Sequence, residues 1–252
     1  MSRAERTGGG RGRPGRTLSS AAVAIGCVLF LGGFVWAAVL YQPYAVPTDS
    51  MAPTVEAGDR VLAERVDGDE VRRGDVVVLL DPMWGNMPVI KRVVGVGGDT
   101  VECCDEQGKL TVNGDPVDEP YRLERKRASF ASFAAFEASV PEGRLFLLGD
   151  HREGSLDSRT RLEDANNGSV PRGAVTGRVD ATVWPLGRAG MVERPAGFAG
   201  LPGGISRPGP LGPVLAATGV GALLILGGAG YGAIGPVRGK RAGLTHNGGT
   251  HG

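Results

Sequence analysis

Asp75-Val-Val-Val-Leu-Leu-Asp-Pro-Met-Trp-Gly-Asn-Met-Pro-Val-Ile-Lys-Arg-Val-Val-Gly-Val-Gly-Gly-Asp99 contains two β-branched, aliphatic runs separated by a loop and closed by a glycine turn. Short runs of this kind bounded by Gly, Pro and Asp read as strands. The pattern repeats on either side, in Arg60-Val-Leu-Ala, Lys109-Leu-Thr-Val and Leu145-Phe-Leu-Leu, with punctuation at Gly58-Asp59, Gly74-Asp75 and Asn113-Gly114. No long helical period interrupts these runs. An antiparallel, mainly β domain is therefore expected over residues 45–195. Within the loop, Met83 and Trp84 would either meet a bilayer interface, where Trp is favoured, or form a lid over the β core.

Outward from this middle the composition changes twice. Residues 1–17 are basic and Gly-rich, so a disordered tail is expected there. Residues 18–44 carry no charge, and their apolar part is long enough for a membrane helix of about 20 residues. Trp36, Tyr41 and Tyr44 lie at its far end, as interfacial aromatics would. The run exceeds a signal-peptide core of roughly 7–15 residues and ends without an obvious cleavage site. A Gly/Pro-rich linker is expected over 196–210, a second membrane helix over 211–237 and a tail over 238–252. Basic residues outside both helices (Arg16; Arg238, Lys240, Arg241) predict cytoplasmic termini and an extracytoplasmic middle.

The net charge of +1 over 252 residues gives no electrostatic reason to expect nucleic acid as a partner. Of three histidines, His246 and His251 fall in the expected C-terminal tail, so no metal site is expected and no cofactor is indicated. Cys103 and Cys104 are adjacent, leaving a strained vicinal disulfide possible but not required.

Lys91 stands out chemically. Strand alternation puts Ile90 and Arg92 on one face and Lys91 on the other, with Val89 and Val93. An amine between valines loses solvation, and a drop of about two to three pKa units, roughly 3–4 kcal/mol, would supply neutral amine near pH 8. Arg could not do this, because its guanidinium stays protonated. An edge-strand lysine snorkelling to solvent is the alternative for the residue taken alone.

Five segments in order carry a family resemblance: Pro47-Thr-Asp-Ser-Met-Ala-Pro-Thr54; Gly58-Asp-Arg-Val-Leu62 with Arg73-Gly-Asp-Val-Val-Val78; Val89-Ile-Lys-Arg-Val-Val-Gly95 with Gly98-Asp99; Gly149-Asp-His-Arg-Glu-Gly-Ser-Leu-Asp-Ser-Arg159; and residues 170–185. Together they resemble bacterial signal peptidase I. The resemblance implies a β catalytic domain of that type, with Ser50 as nucleophile and Lys91 as general base. It implies an oxyanion hole from the Ser50 N–H and the Thr48 hydroxyl, and Ser155 as the lysine-orienting serine. Asp150, Arg152, Asp157 and Arg159 would be structural supports. Signal peptides of exported preproteins would be the substrates, cut after small residues (Ala-x-Ala), beside a lipid bilayer. The substrate would bind as an added strand flanked by segments near 43–50 and 88–91. Two positions depart from the usual pattern, His151 and Gly154, each in place of Asn. His151 invites a Ser-His reading, against one in which it only fills the Asn's hydrogen-bonding place. The non-enzymatic alternative is an inactive, membrane-anchored relative that binds peptides.

Overall fold

The computed structural model describes residues 13–85, 87–122 and 135–234. Residues 1–12 of the tail expected over 1–17, residues 235–237 of the second expected helix, the expected tail over 238–252 and residues 123–134 lie outside the described residues, as do Asn86 and the Met83 side chain, whereas residues 13–17 are helical rather than a disordered tail. The chain divides into two compact units, one containing both long helices and the other running from Val39 to Gly209.

Helix α1 spans Arg13–Leu40 and α2 spans Leu211–Ile234. Both are long and apolar enough to cross a membrane by length and composition. They run antiparallel, and glycines let their backbones approach closely. A Cβ on Gly26 would fall 2.8 Å from the Gly221 carbonyl, and one on Gly33 would meet Thr218. The Ser19 hydroxyl donates to the Gly228 carbonyl at 2.7 Å. Helix α1 begins and ends earlier than the expected 18–44. Pro43 cannot continue a helix, and the chain turns at Tyr41 into strand β1, Tyr41–Ala45. Tyr41 is therefore not an interfacial aromatic. It is buried in the β unit, where its hydroxyl donates to Asp180 at 3.0 Å.

The β unit has two antiparallel sheets. The larger comprises β1, β2 (Arg60–Glu64), β3 (Val76–Leu79), β4 (Val89–Val96), β9 (Arg144–Leu148), β10 (Val170–Pro171), β11 (Val175–Trp184) and β12 (Gly190–Met191). Its order is β1-β2-β11-β3-β4-β9-β10, with β12 also on β11. The smaller joins β5 (Thr100–Cys103), β6 (Leu110–Val112), β7 (Asp115–Pro116) and β8 (Phe136–Ser139) in the order β7-β6-β5-β8. Every recorded strand pairing is antiparallel. Strand β3 is buried on both faces. Val76 and Val78 pack with Met51, Val55 and Ile90, while Val77 and Leu79 pack with Val93, Leu145 and Leu147. An unbroken apolar run rather than an alternating one is what such a two-sided strand requires. Cys103 and Cys104 are joined as a vicinal disulfide at the end of β5.

The segment 196–210 is not a free linker. Phe198 is fully buried and Leu201 nearly so, both in the core beside Phe146 and Leu148. Its backbone carbonyls at Pro202 and Gly203 accept hydrogen bonds from Arg73 and Arg72, and Ser206 donates to Asp75. Gly and Pro suppress regular structure without preventing burial, so the composition misled. Asp180 accepts from both Tyr41 and the Gly209 N–H, at 3.0 and 3.1 Å. One carboxylate thus gathers the two ends of the β unit.

Candidate active site

Ser50 sits in a short 3-10 turn, Asp49–Met51, held from below by Met51, whose side chain is buried in the core. Its Oγ lies 2.8 Å from Lys91 Nζ, and the Thr48 hydroxyl donates to it at 3.2 Å. Lys91 is only 3% exposed. Its ammonium also donates to the Ile90 carbonyl at 3.2 Å. Burial pulls its pKa down from the ordinary lysine value to about 8, against the opposing charges of Asp157 and Asp150. A neutral amine in contact with a hydroxyl can accept its proton, as nucleophilic catalysis by serine requires.

The position of Lys91 follows from strand register. The β4–β9 ladder begins at Arg92↔Leu148, so Lys91 stands just beyond it, opposite Gly149. A Cβ at Gly149 would come within 2.5 Å of the Ser50 carbonyl and would collide with Ser155. Glycine lets the turn that carries Ser50 close on the strand end. Ser155 lies against this spot with its Oγ buried and without a hydrogen-bond partner. Its distance from Lys91 is not bridged by a hydrogen bond in this state.

Behind the pair stand buried ions. Arg92 forms a two-pronged pair with Asp150, at 2.8 and 2.6 Å, with both side chains 1% exposed. Burial alone would lower the Arg92 pKa, but the Asp150 charge and hydrogen bonds more than offset this and raise it. Thr54 donates to Asp150 at 2.5 Å, and the Arg92 guanidinium lies over the Tyr121 ring at 3.9 Å. Asp157 pairs with Arg159 through two 2.8 Å contacts and accepts the Gly149 N–H at 3.0 Å. Arg152 pairs with buried Glu119, whose carboxyl is held below its usual range by the Arg152 charge despite desolvation. Thr54 lay within the first quoted motif and could have been read from it. Glu119 and Tyr121 lie in no motif, and the sequence carried no signal for them.

A cleft of about 780 Å³ opens onto Ser50 and Lys91. Residues 46–48, Ser50 and Met51 line it, together with residues 87–91, Leu156 and Arg161. Trp84 borders the cleft and packs against the Val93–Leu147 core cluster, so it takes the lid position over the core. Met87, nearby, is 65% exposed. His151 does not contact the Ser50 hydroxyl; its Nδ1 lies 3.3 Å from the Asp49 carbonyl. Among the described residues, no cluster of His, Cys, Asp and Glu could hold a metal ion.

A family model described as signal peptidase, peptidase S26, matches residues 16–184. A probable signal peptidase I of Mycobacterium leprae is 31% identical, covering 68% of this chain and 76% of its own. Signal peptidase I of Bacillus licheniformis is 36% identical over 50% of this chain and 69% of its own. A solved signal peptidase I from Enterococcus faecalis is 30% identical over 42% of this chain and 94% of that one, with a TM-score of 0.34.

Proposed function

The chain belongs to the signal peptidase family, peptidase S26, and from that premise we propose that it removes signal peptides from exported preproteins by a Ser50/Lys91 dyad. The observation that carries this reading is the 2.8 Å contact between Ser50 Oγ and a lysine 3% exposed. An inactive peptide-binding relative would have no use for a charge buried at that cost.

In the proposed reaction, Ser50 Oγ attacks the scissile carbonyl carbon while its proton passes to the neutral Nζ of Lys91. The carbonyl oxygen becomes an oxyanion, held by the Ser50 N–H and by the Thr48 hydroxyl once that hydroxyl turns from Ser50 Oγ; one such donor is worth about 3–4 kcal/mol. Collapse breaks the peptide bond, and the leaving amine takes the proton from the Lys91 ammonium. A water molecule, deprotonated by Lys91, then hydrolyses the ester and restores Ser50. Ser155 turns its unpartnered Oγ onto the lysine to hold it, and Asp150, Arg152, Asp157 and Arg159 fix the strand end behind.

The substrate lies as an added strand between segments 43–50 and 88–91, where backbone hydrogen bonds give affinity and shallow pockets admit small side chains at the first and third residues before the cut. Helices α1 and α2 anchor the enzyme in the bilayer, with both termini cytoplasmic and the β unit outside. A cysteine at position 245 that could be labelled from outside intact cells would overturn this topology. The test of the function itself is cleavage of a signal-peptide substrate by the full chain: wild type should cut and Ser50→Ala should not.

A further inference from the structure

We infer that His151 is a positioning residue for Ser50, and that Gly154 is glycine because the His151 ring occupies the space of its side chain. Two of the 3-10 turn's carbonyls meet this one residue. The His151 N–H donates to the Ser50 carbonyl at 3.2 Å, and the ring Nδ1 lies 3.3 Å from the Asp49 carbonyl. The turn that carries the nucleophile is thus gripped by both the backbone and the side chain of His151. With the proton on Nδ1, the ring donates to Asp49 and opposes rotation of the turn.

Gly154 makes the ring's placement possible. A Cβ built there would fall 2.7 Å from His151 Nδ1 and 2.8 Å from Cε1. The Gly154 backbone is not in the left-handed region, so conformation does not demand glycine. What demands it is the ring. The two departures from the usual family pattern, three residues apart in sequence, therefore occupy one place in space. They form a single substitution: a longer side chain at 151, admitted by the loss of one at 154.

The geometry supplies a lever that separates this role from general stability. The atoms that a methyl at 154 would strike belong to a side-chain end that can rotate away. Gly154→Ala should therefore cost the fold little while pulling the ring off the Asp49 carbonyl. The turn stays in place through Met51 and the Ser50 carbonyl contact, but Ser50 Oγ loses definition against Lys91. Misplacement of a reacting group by about 1 Å can cost up to 100-fold. A partial loosening of one carbonyl contact should cost about tenfold.

The inference rests on Ser50 being the nucleophile. Its test is a double-mutant cycle on the full chain in detergent, reading kcat, KM and melting temperature with a signal-peptide substrate. Gly154→Ala and His151→Ala should each lower kcat about tenfold with KM and melting temperature little changed. Combined, they should cost no more than either alone, because both remove the same contact. His151→Asn, which keeps a short donor at the position, should retain most of the activity. If Gly154→Ala costs as much in the His151→Ala background as it does with His151 in place, the inference is overturned, since the methyl would then act on the cleft directly. A loss confined to KM, or wild-type kcat in Gly154→Ala, would overturn it too. Inactivity of His151→Asn on the scale of Lys91→Arg would replace positioning by chemistry. Lys91→Arg, assayed in parallel, separates the two readings: if it stays active while the cycle is non-additive, the dyad fails and the brace stands.

Discussion

Lys91 and Arg92 are neighbours on one strand, both cations, both almost wholly buried, and they have opposite fates. Arg92 turns to one face and meets Asp150 through two hydrogen bonds, which raise its pKa. Lys91 turns to the other, where its partners are a hydroxyl and a carbonyl and the carboxylates stand off, so its pKa falls to about 8. Strand alternation puts the two environments side by side. A buried cation with a carboxylate in contact is a structural tie, whereas one without becomes a base within reach of neutral pH. The residue types match these tasks, because only the amine can give up its charge.

The comparison breaks most severely if the two cations are made alike. Lys91→Arg should lower cleavage by about 10³-fold or more, since general base catalysis contributes typically 10²–10⁴ and the guanidinium also crowds the site. Activity that persisted in this variant would end the dyad reading. For the wild type, kcat/KM should rise through pH about 8 as Lys91 loses its proton. A rise centred nearer pH about 6.5 would point instead to histidine.

On the Arg92 side, Asp150→Ala should destabilise the full chain by about 3–5 kcal/mol, because it leaves a guanidinium buried without a counter-charge. Chemical denaturation in detergent measures this directly, and a loss below about 1 kcal/mol would mean that water or Glu119 replaces the partner.

Lys91→Met should do the reverse at neutral pH, stabilising by up to about 3 kcal/mol while abolishing cleavage. The sign follows from the folded pKa of about 8 lying below the unfolded value near 10.5. Between those values the unfolded chain binds the extra proton, so wild-type stability rises with pH through that window. The penalty is fully present below pH about 8 and gone above about 10.5, where the variant's advantage should vanish. Constant stabilisation at all pH values would assign it to packing instead. The smallest effect should be a displacement of the activity profile in Asp150→Asn. The Asp150 charge holds the Lys91 pKa up, so its removal should move the rise to lower pH. An unmoved profile would mean that the two neighbours are electrically independent.

Much of this arrangement is legible in the sequence. The apolar runs around 76–79, 89–96 and 145–148 form β3, β4 and β9, and the antiparallel, mainly β architecture follows from their turns. The opposition of Lys91 and Arg92 was readable from a period of two. The end of the first apolar helix is not legible in composition, because Tyr41 and Tyr44 suit a membrane interface and a strand equally well, and only Pro43 distinguishes them. The packing of segment 196–210 is not legible either, because its composition suits a flexible linker, while Phe198 and Leu201, too sparse for a periodic pattern, anchor it in the core.

The sequence by itself determined the elements, the order of the motifs and which amine could serve as a base, since these depend on neighbours within a few residues along the chain. Only the tertiary structure decided which carboxylate each buried side-chain donor would meet. Arg92 finds Asp150 across 58 positions, Arg152 finds Glu119 across 33 and Tyr41 finds Asp180 across 139. Hydrophobic periodicity says which face of a strand turns inward. It does not say what waits there, because a buried charge is matched by whatever the folded chain brings within about 3 Å of it.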